Sequence, residues 1–145
     1  MNEDKPIGPV SALLVGEYGD DRELVRDVFR TLGWRLFETR DGRRAMPFLA
    51  RNPVEVVIAQ GRSEGAGWQK LLDALPNLTN PPQLVVASRT ADDHLWSEVL
   101  NRGGYDVLAE PFDRDEVERV IDGAGRHCRS MRGGLLCMAV PAAAA

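Results

Sequence analysis

Gln60 stands where chemistry would be expected. It closes Val54–Gln60 (VEVVIAQ) and is followed at once by the glycine-rich loop Gly61–Gly67. Val56, Val57, Ile58 and Ala59 are an unbroken apolar run of β-branched and small residues, the pattern of a central strand covered on both faces. In open α/β sheets, ligands bind in the crevice outside the carboxyl ends of the strands, and Gln60 sits at such an end. A carboxamide cannot be phosphorylated as an aspartate can, and it carries no charge to hold a metal. Other reactive types are scattered. His94 and His127 lie in or near helical stretches without an organised Ser or Cys partner. Cys128 and Cys137 match neither a CxxC nor a His/Cys zinc pattern, and read as two unpaired thiols.

The elements that would position Gln60 follow from periodicity. Ala12–Val15 reads as a first strand. Gly16-Glu17-Tyr18-Gly19 turns the chain, with Asp20 or Asp21 able to cap the next helix. That helix carries Leu24, Val25, Val28, Phe29 and Leu32 on one stripe and stops at Gly33. Trp34–Thr39 mixes charged and apolar residues and suits a strand nearer the sheet edge. Asp41-Gly42 signals a turn, and Pro47 requires the helix bearing Ala45, Phe48 and Leu49 to be short or to begin late. Trp68, Leu71, Leu72 and Leu75 share a helical face. Leu84–Ser88 repeats the buried-strand pattern. A helix from Ala91 or Asp92 turns Leu95, Trp96, Val99 and Leu100 inward and closes at Gly103-Gly104. Asp106–Ala109 is a fifth strand, and Asp113 precedes a last helix with Val117, Val120 and Ile121 in register. Five strands alternating with five helices predict a three-layer, doubly wound α/β domain. Its parallel sheet takes the flavodoxin-like order 2-1-3-4-5.

Composition sets the outer bounds. The chain has 145 residues, 43% of them hydrophobic and 28% charged, as in an ordinary globular domain. Residues 1–10 read as a flexible arm, 11–129 as the domain, and 130–145 as a tail expected to be disordered. The apolar patch Leu135–Val140 offers docking to a partner as a second reading of that tail. A formal net charge of −4 speaks against a nucleic-acid surface, and the arginines Arg40, Arg43, Arg44 and Arg51 read as solvation of one short helix. No apolar run approaches the ~18 residues of a membrane span. The acidic N-terminus does not look like a signal peptide, so cytoplasmic residence is expected.

Over 11–129 the chain resembles a response-regulator receiver domain, and more closely a degenerate one, a pseudo-receiver. The residues that carry the resemblance are Leu13-Leu14-Val15 before an acidic loop, Asp41-Gly42, and Val57-Ile58-Ala59 before position 60. Ser88, Gly103 and Pro111-Phe112-Asp113 complete it, while the loop after Gln60 lacks the usual Met-Pro. The resemblance implies five groups for self-phosphorylation: an attacking aspartate, two acids that help hold Mg²⁺, a hydroxyl and a lysine. Laid on that pattern, Gln60 falls on the aspartate, and Gly16 and Glu17 on the acid pair. Ser88 falls on the hydroxyl and Glu110 on the lysine. Val107 falls on the aromatic whose side chain reports phosphorylation. An acid at the lysine position would repel a phosphoryl dianion, and Mg²⁺, which prefers carboxylates and waters, is expected to bind weakly or not at all.

What the resemblance implies is therefore a two-component, phosphorelay-type signal-transduction module without enzymatic activity, acting by protein–protein contact independently of phosphorylation. No catalytic residue and no metal ligand is assigned. The family's partner face falls here on Arg102, Tyr105, Asp106, Glu118 and Arg119. The expected partners are proteins: a histidine kinase, another regulator, or a second copy in a homodimer, with no nucleic acid and no membrane. The resemblance also implies a cis Glu110-Pro111 bond with the Glu110 carboxylate turned towards the Gln60 crevice. A flavodoxin-like small-molecule or cofactor binder is the alternative. The acidic Gly16–Asp21 loop, which would repel phosphate, weighs against it. A DNA-binding regulator would need a helix-turn-helix and basic charge.

Overall fold

The computed structural model describes residues 8–61 and 67–144, with 133–144 as backbone alone. Five parallel strands, β1 (Ser11–Val15), β2 (Arg35–Thr39), β3 (Val56–Gln60), β4 (Gln83–Ser88) and β5 (Asp106–Ala109), form one sheet in the order β2-β1-β3-β4-β5. Between and after them run α1 (Asp20–Leu32), α2 (Ala45–Arg51), α3 (Trp68–Ala74), α4 (Asp93–Asn101) and α5 (Arg114–Ala144). The expected α/β class and strand order are what the chain adopts.

The alternation of side chains across each strand sorts the core into two layers. Ala12, Leu14, Val56, Ile58, Val85 and Leu108 pack with Val25, Val28 and Phe29 of α1 and Val117, Val120 and Ile121 of α5. Leu13, Val15, Val57, Ala59 and Val86 pack on the other face with Leu49, Trp68 and Val99 from α2, α3 and α4. Val56, Val57 and Ile58 are fully buried, each worth about 1.5–3 kcal/mol relative to exposure, and this fixes β3 at the centre. The mixed composition of β2 places it at an edge, as expected.

Several local features differ from the sequence reading. Gly19 is the N-cap residue of α1, which therefore has no side-chain cap. Asp21 instead accepts a hydrogen bond from Phe112 N at 3.0 Å, tying the first turn of α1 to the loop after β5. Pro47 is the third residue of α2, and a single 3-10 turn over Gly42–Arg44 delivers the chain to it. Trp96, expected inward, is 49% exposed. The inward stripe of α4 is Leu95 and Val99, and Trp96 is offset from it by about 100° around the helix.

α5 runs past Arg129 to Ala144. Arg129, the last residue of the domain as read from sequence, and Arg132, three residues beyond it, both dock on the body of the domain. Arg132 donates to Val54 O and Asn80 O, each at 3.0 Å. Arg129 pairs with both oxygens of Glu55 and donates to Pro9 O at 2.6 Å. Glu55, only 7% exposed, also accepts from Ser11 N at 3.1 Å, so its charge is paired and hydrogen-bonded as burial demands. The arm through residue 7, the loop 62–66 and the side chains of the 135–140 patch lie outside the described residues.

Candidate functional site

At the carboxyl end of the sheet the side chain of Gln60 turns back onto the β1–α1 loop. Its Oε1 accepts from Glu17 N at 3.1 Å and its Nε2 donates to Glu17 O. The carboxamide thus pairs with both polar groups of one residue's backbone, a two-point bond that crosslinks β3 to the loop after β1. Gly16 lies beneath it with φ +122°, and a β-carbon there would stand 2.6 Å from Gln60 Oε1. Glycine is the residue that permits both the left-handed backbone and the close approach. The Gly16 carbonyl accepts from Arg22 Nη2, and Arg22 also pairs with Glu38.

Tyr18, which the sequence reading passed over as part of a turn, plugs the same end of the sheet. It is 6% exposed, and its hydroxyl donates to Val15 O at 2.8 Å, with Ile58 O at 3.4 Å. Its ring centroid lies 5.7 Å from that of Phe112. Burial first, and then the charge of Glu110, push its pKa well above the ordinary value. The only available signal was a lone aromatic in an otherwise acidic loop.

Ser88 is 3% exposed and turned into the start of the next loop, where Oγ accepts from Thr90 N at 3.1 Å and lies 3.2 Å from Thr90 Oγ1. Glu110 is half-buried. Its backbone N donates to Ser88 O at 2.9 Å, and the Glu110-Pro111 bond is cis, as the resemblance implied. Val107 stands apart, paired in register with Val86 and packed on the α2–α3–α4 side. Gly16, Glu17 and Gln60 therefore meet directly, Ser88 and Glu110 adjoin one another through the backbone, and Val107, partly buried, lines the groove beside Trp96.

Magnesium takes oxygen ligands in a near-octahedral shell, mostly carboxylates and waters. Of the three positions that would supply them here, Gly16 has no side chain, and Gln60 presents an amide already paired with Glu17. Glu17 alone carries a carboxylate. The residues present do not fit that ion. Among the described residues no three His, Cys, Asp or Glu side chains are grouped to hold any metal.

The residues expected at the partner face are divided. Asp106 and Arg119 line one groove of about 500 Å³ with Trp96, and Asp106 accepts from Trp96 Nε1 at 3.2 Å. Tyr105 lies across α5 with its ring centroid 5.6 Å from that of His127. Its hydroxyl would stand 2.6 Å from a β-carbon on Gly123, so that glycine makes room for it. Arg102 pairs with Glu98 at 3.4 Å and places its guanidinium 6.0 Å from the centre of the Trp68 ring. Glu118 borders a different open groove, between α5 and Trp34.

No protein-family model matches the chain. It is 22% identical over 129 residues to the two-component response regulator-like PRR37 of Oryza sativa, in both subspecies indica and japonica. The match takes in 86% of this chain but only 17% of those relatives' length. Among solved structures, the signal receiver domain of an HD domain-containing protein from Pseudomonas fluorescens Pf-5 superposes with a TM-score of 0.72 at 22% identity, covering 84% of this chain and 98% of that one. The receiver domain of the sensor histidine kinase PA1611 from Pseudomonas aeruginosa PAO1, solved with magnesium in its active-site cleft, gives 0.67 at 21%, covering 79% and 95%. The receiver domain of Ssk1, co-crystallised with the phosphotransfer protein Ypd1 of Saccharomyces cerevisiae, gives 0.71 at 11%, covering 81% and 89%. The chain has the fold of response-regulator receiver domains. Among the described residues no helix is long and apolar enough to cross a membrane.

Proposed function

We propose that the chain is a receiver module of two-component signalling that lacks phosphoacceptor chemistry and acts, without enzymatic activity, through protein–protein contact in the cytoplasm. The observation that carries this reading is the pairing of the Gln60 amide with the Glu17 backbone above a bare Gly16. The position that should attack phosphorus holds an amide, which serves as a crosslink. Glu110 adds negative charge on the same side of the sheet, felt at Tyr18. The contact face is the α4–β5–α5 groove around Trp96, Asp106 and Arg119. Partners of the class seen with Ssk1, or kinases and other regulators, suit this reading.

The test is direct. Incubated with a small phosphodonor and Mg²⁺, the intact protein should gain no mass. A stoichiometric gain of one phosphoryl group that disappears in Gln60→Ala would overturn the reading.

A further inference from the structure

Charge is sorted between the two edges of the sheet, which β2 and β5 form. At the β2 edge Arg35, Arg40, Arg44 and Arg51 are exposed, and none makes an ion pair among the described residues. The acids beside them are already engaged: Glu38 by Arg22 and Arg26, and Asp41 by Arg43. At the β5 edge, Asp92, Asp93, Asp106 and Glu116 line the groove floored by Trp96, with Arg119 its cation. None of those four carboxylates is in an ion pair among the described residues either.

Arg40 and Arg44 follow the carboxyl end of β2 as Asp92 and Asp93 follow that of β4. Asp106 stands level in the sheet with Glu38, which Arg22 and Arg26 already engage. A copy shifted sideways along the sheet, without rotation, sets Asp92 and Asp93 against Arg40 and Arg44. Pairing two β5 edges about a two-fold axis would instead bring the four groove carboxylates of each copy together with one Arg119 from each, an excess of negative charge that disfavours that arrangement.

We propose that the α4–β5–α5 groove of one copy receives the β2–α2 edge of a second copy, head to tail, with an arginine over the exposed Trp96 indole. Guanidinium groups stack on indole faces and pair with carboxylates. This deepens the contact reading above and rests on it. Such a contact is heterologous, so it does not close at two copies and propagates into a ring or an open chain.

Sedimentation and light scattering test it, from micromolar to millimolar protein. At ~0.01 M salt, where the Debye length is about 30 Å, the mean mass should climb with concentration past that of a dimer, and 1 M salt should return it to the monomer. Trp96→Ala/Asp93→Asn and Arg40→Gln/Arg44→Gln, all exposed positions, should each be monomeric with unchanged circular dichroism. Mixed, they should form a 1:1 complex that stops at two copies, because each retains one working edge. A wild-type protein that stays monomeric throughout at low salt overturns the proposal, as does a dimer indifferent to Arg40→Gln/Arg44→Gln. Either result leaves the loss of phosphoacceptor chemistry standing, whereas phosphoryl uptake would remove that reading whatever the association state.

Discussion

The Gln60 side chain lies directly over Gly16, so that a β-carbon on residue 16 would sit 2.6 Å from Oε1 and 2.9 Å from Cδ. In the proposed reading the two residues depart from the receiver pattern together, and the geometry gives a reason. With an amide folded down onto the β1–α1 loop, position 16 has room only for hydrogen. Its φ of +122° already asks for glycine. The same amide then satisfies both backbone groups of Glu17.

Gly16→Ala should therefore destabilise the fold by about 1–3 kcal/mol, from left-handed strain and from contact with Gln60. Removing the second cause should recover part of the loss. In the Gly16→Ala/Gln60→Ala cycle the two changes should couple by at least about 0.5 kcal/mol in the relieving direction. Urea unfolding of the four proteins measures this, and strict additivity would show that the contact is not limiting.

Gln60→Asp alone should not create an acyl phosphate. The new carboxylate would still lack the oxygen ligands that Gly16 cannot supply, and Glu110 would remain where the proposed reading requires a cation. Gly16→Asp and Glu110→Lys must be added, and Gly16→Asp is tolerable only once Gln60 has gone. Mass spectrometry after phosphodonor treatment separates the cases. Phosphorylation of the single variant would mean that Glu17 suffices to hold the ion.

The frame of this fold was written in local pattern. Val56–Ala59 announced the central strand and the mixed Trp34–Thr39 its edge, because burial on one face or two leaves its mark on consecutive residues. What escaped was non-local. Glu55 looks like an interruption in an apolar run until Arg129, 74 residues later in the chain, closes over it. Tyr18 reads as a turn residue, and only the carbonyls of Val15 and Ile58 make it a buried plug. Trp96 has a helical spacing compatible with burial, yet it stands about 100° around α4 from Leu95, off the stripe that packs on the sheet. At the site, Gln60 was legible as an uncharged amide at the carboxyl end of the central strand. That its amide serves as a crosslink depended on the turn at Gly16.

The Glu55–Arg129 pair should be one of the costlier contacts to break. Arg129→Met leaves a carboxylate whose side chain is 9% exposed, with Ser11 N still donating to it. The loss should be about 3 kcal/mol, at the low end for a buried pair because Arg129 itself is 32% exposed. Glu55→Gln keeps an acceptor for Ser11 N and should cost less, about 1–2 kcal/mol. Denaturant midpoints give both values. An Arg129→Met protein within about 0.5 kcal/mol of wild type would place α5 docking elsewhere.

Alkaline pH should expose the burial of Tyr18. The chain has two tyrosines. Burial and then Glu110 raise the pKa of Tyr18 well above 10.0, and burial and then Asp106 raise that of Tyr105. For a group whose folded pKa is raised, the full stability is present below the unfolded pKa and is lost as pH rises through the folded one. The tyrosine contribution should therefore hold up to about pH 10 and fall beyond it, by at most about 1.4 kcal/mol per pH unit for each proton. Cys128, raised chiefly by burial from 9.0, adds a slope of the same sign from a lower pH. In the native protein the phenolate absorbance of both rings should appear late, that of half-buried Tyr105 first and that of Tyr18 only as the fold is lost. Tyr18→Phe should remove the later phase and flatten the alkaline slope, while costing about 1 kcal/mol near neutrality for the bond to Val15 O. A Tyr18 that ionises near pH 10 in the folded protein, with an unchanged slope in Tyr18→Phe, would mean that water reaches the hydroxyl and that the crevice is open.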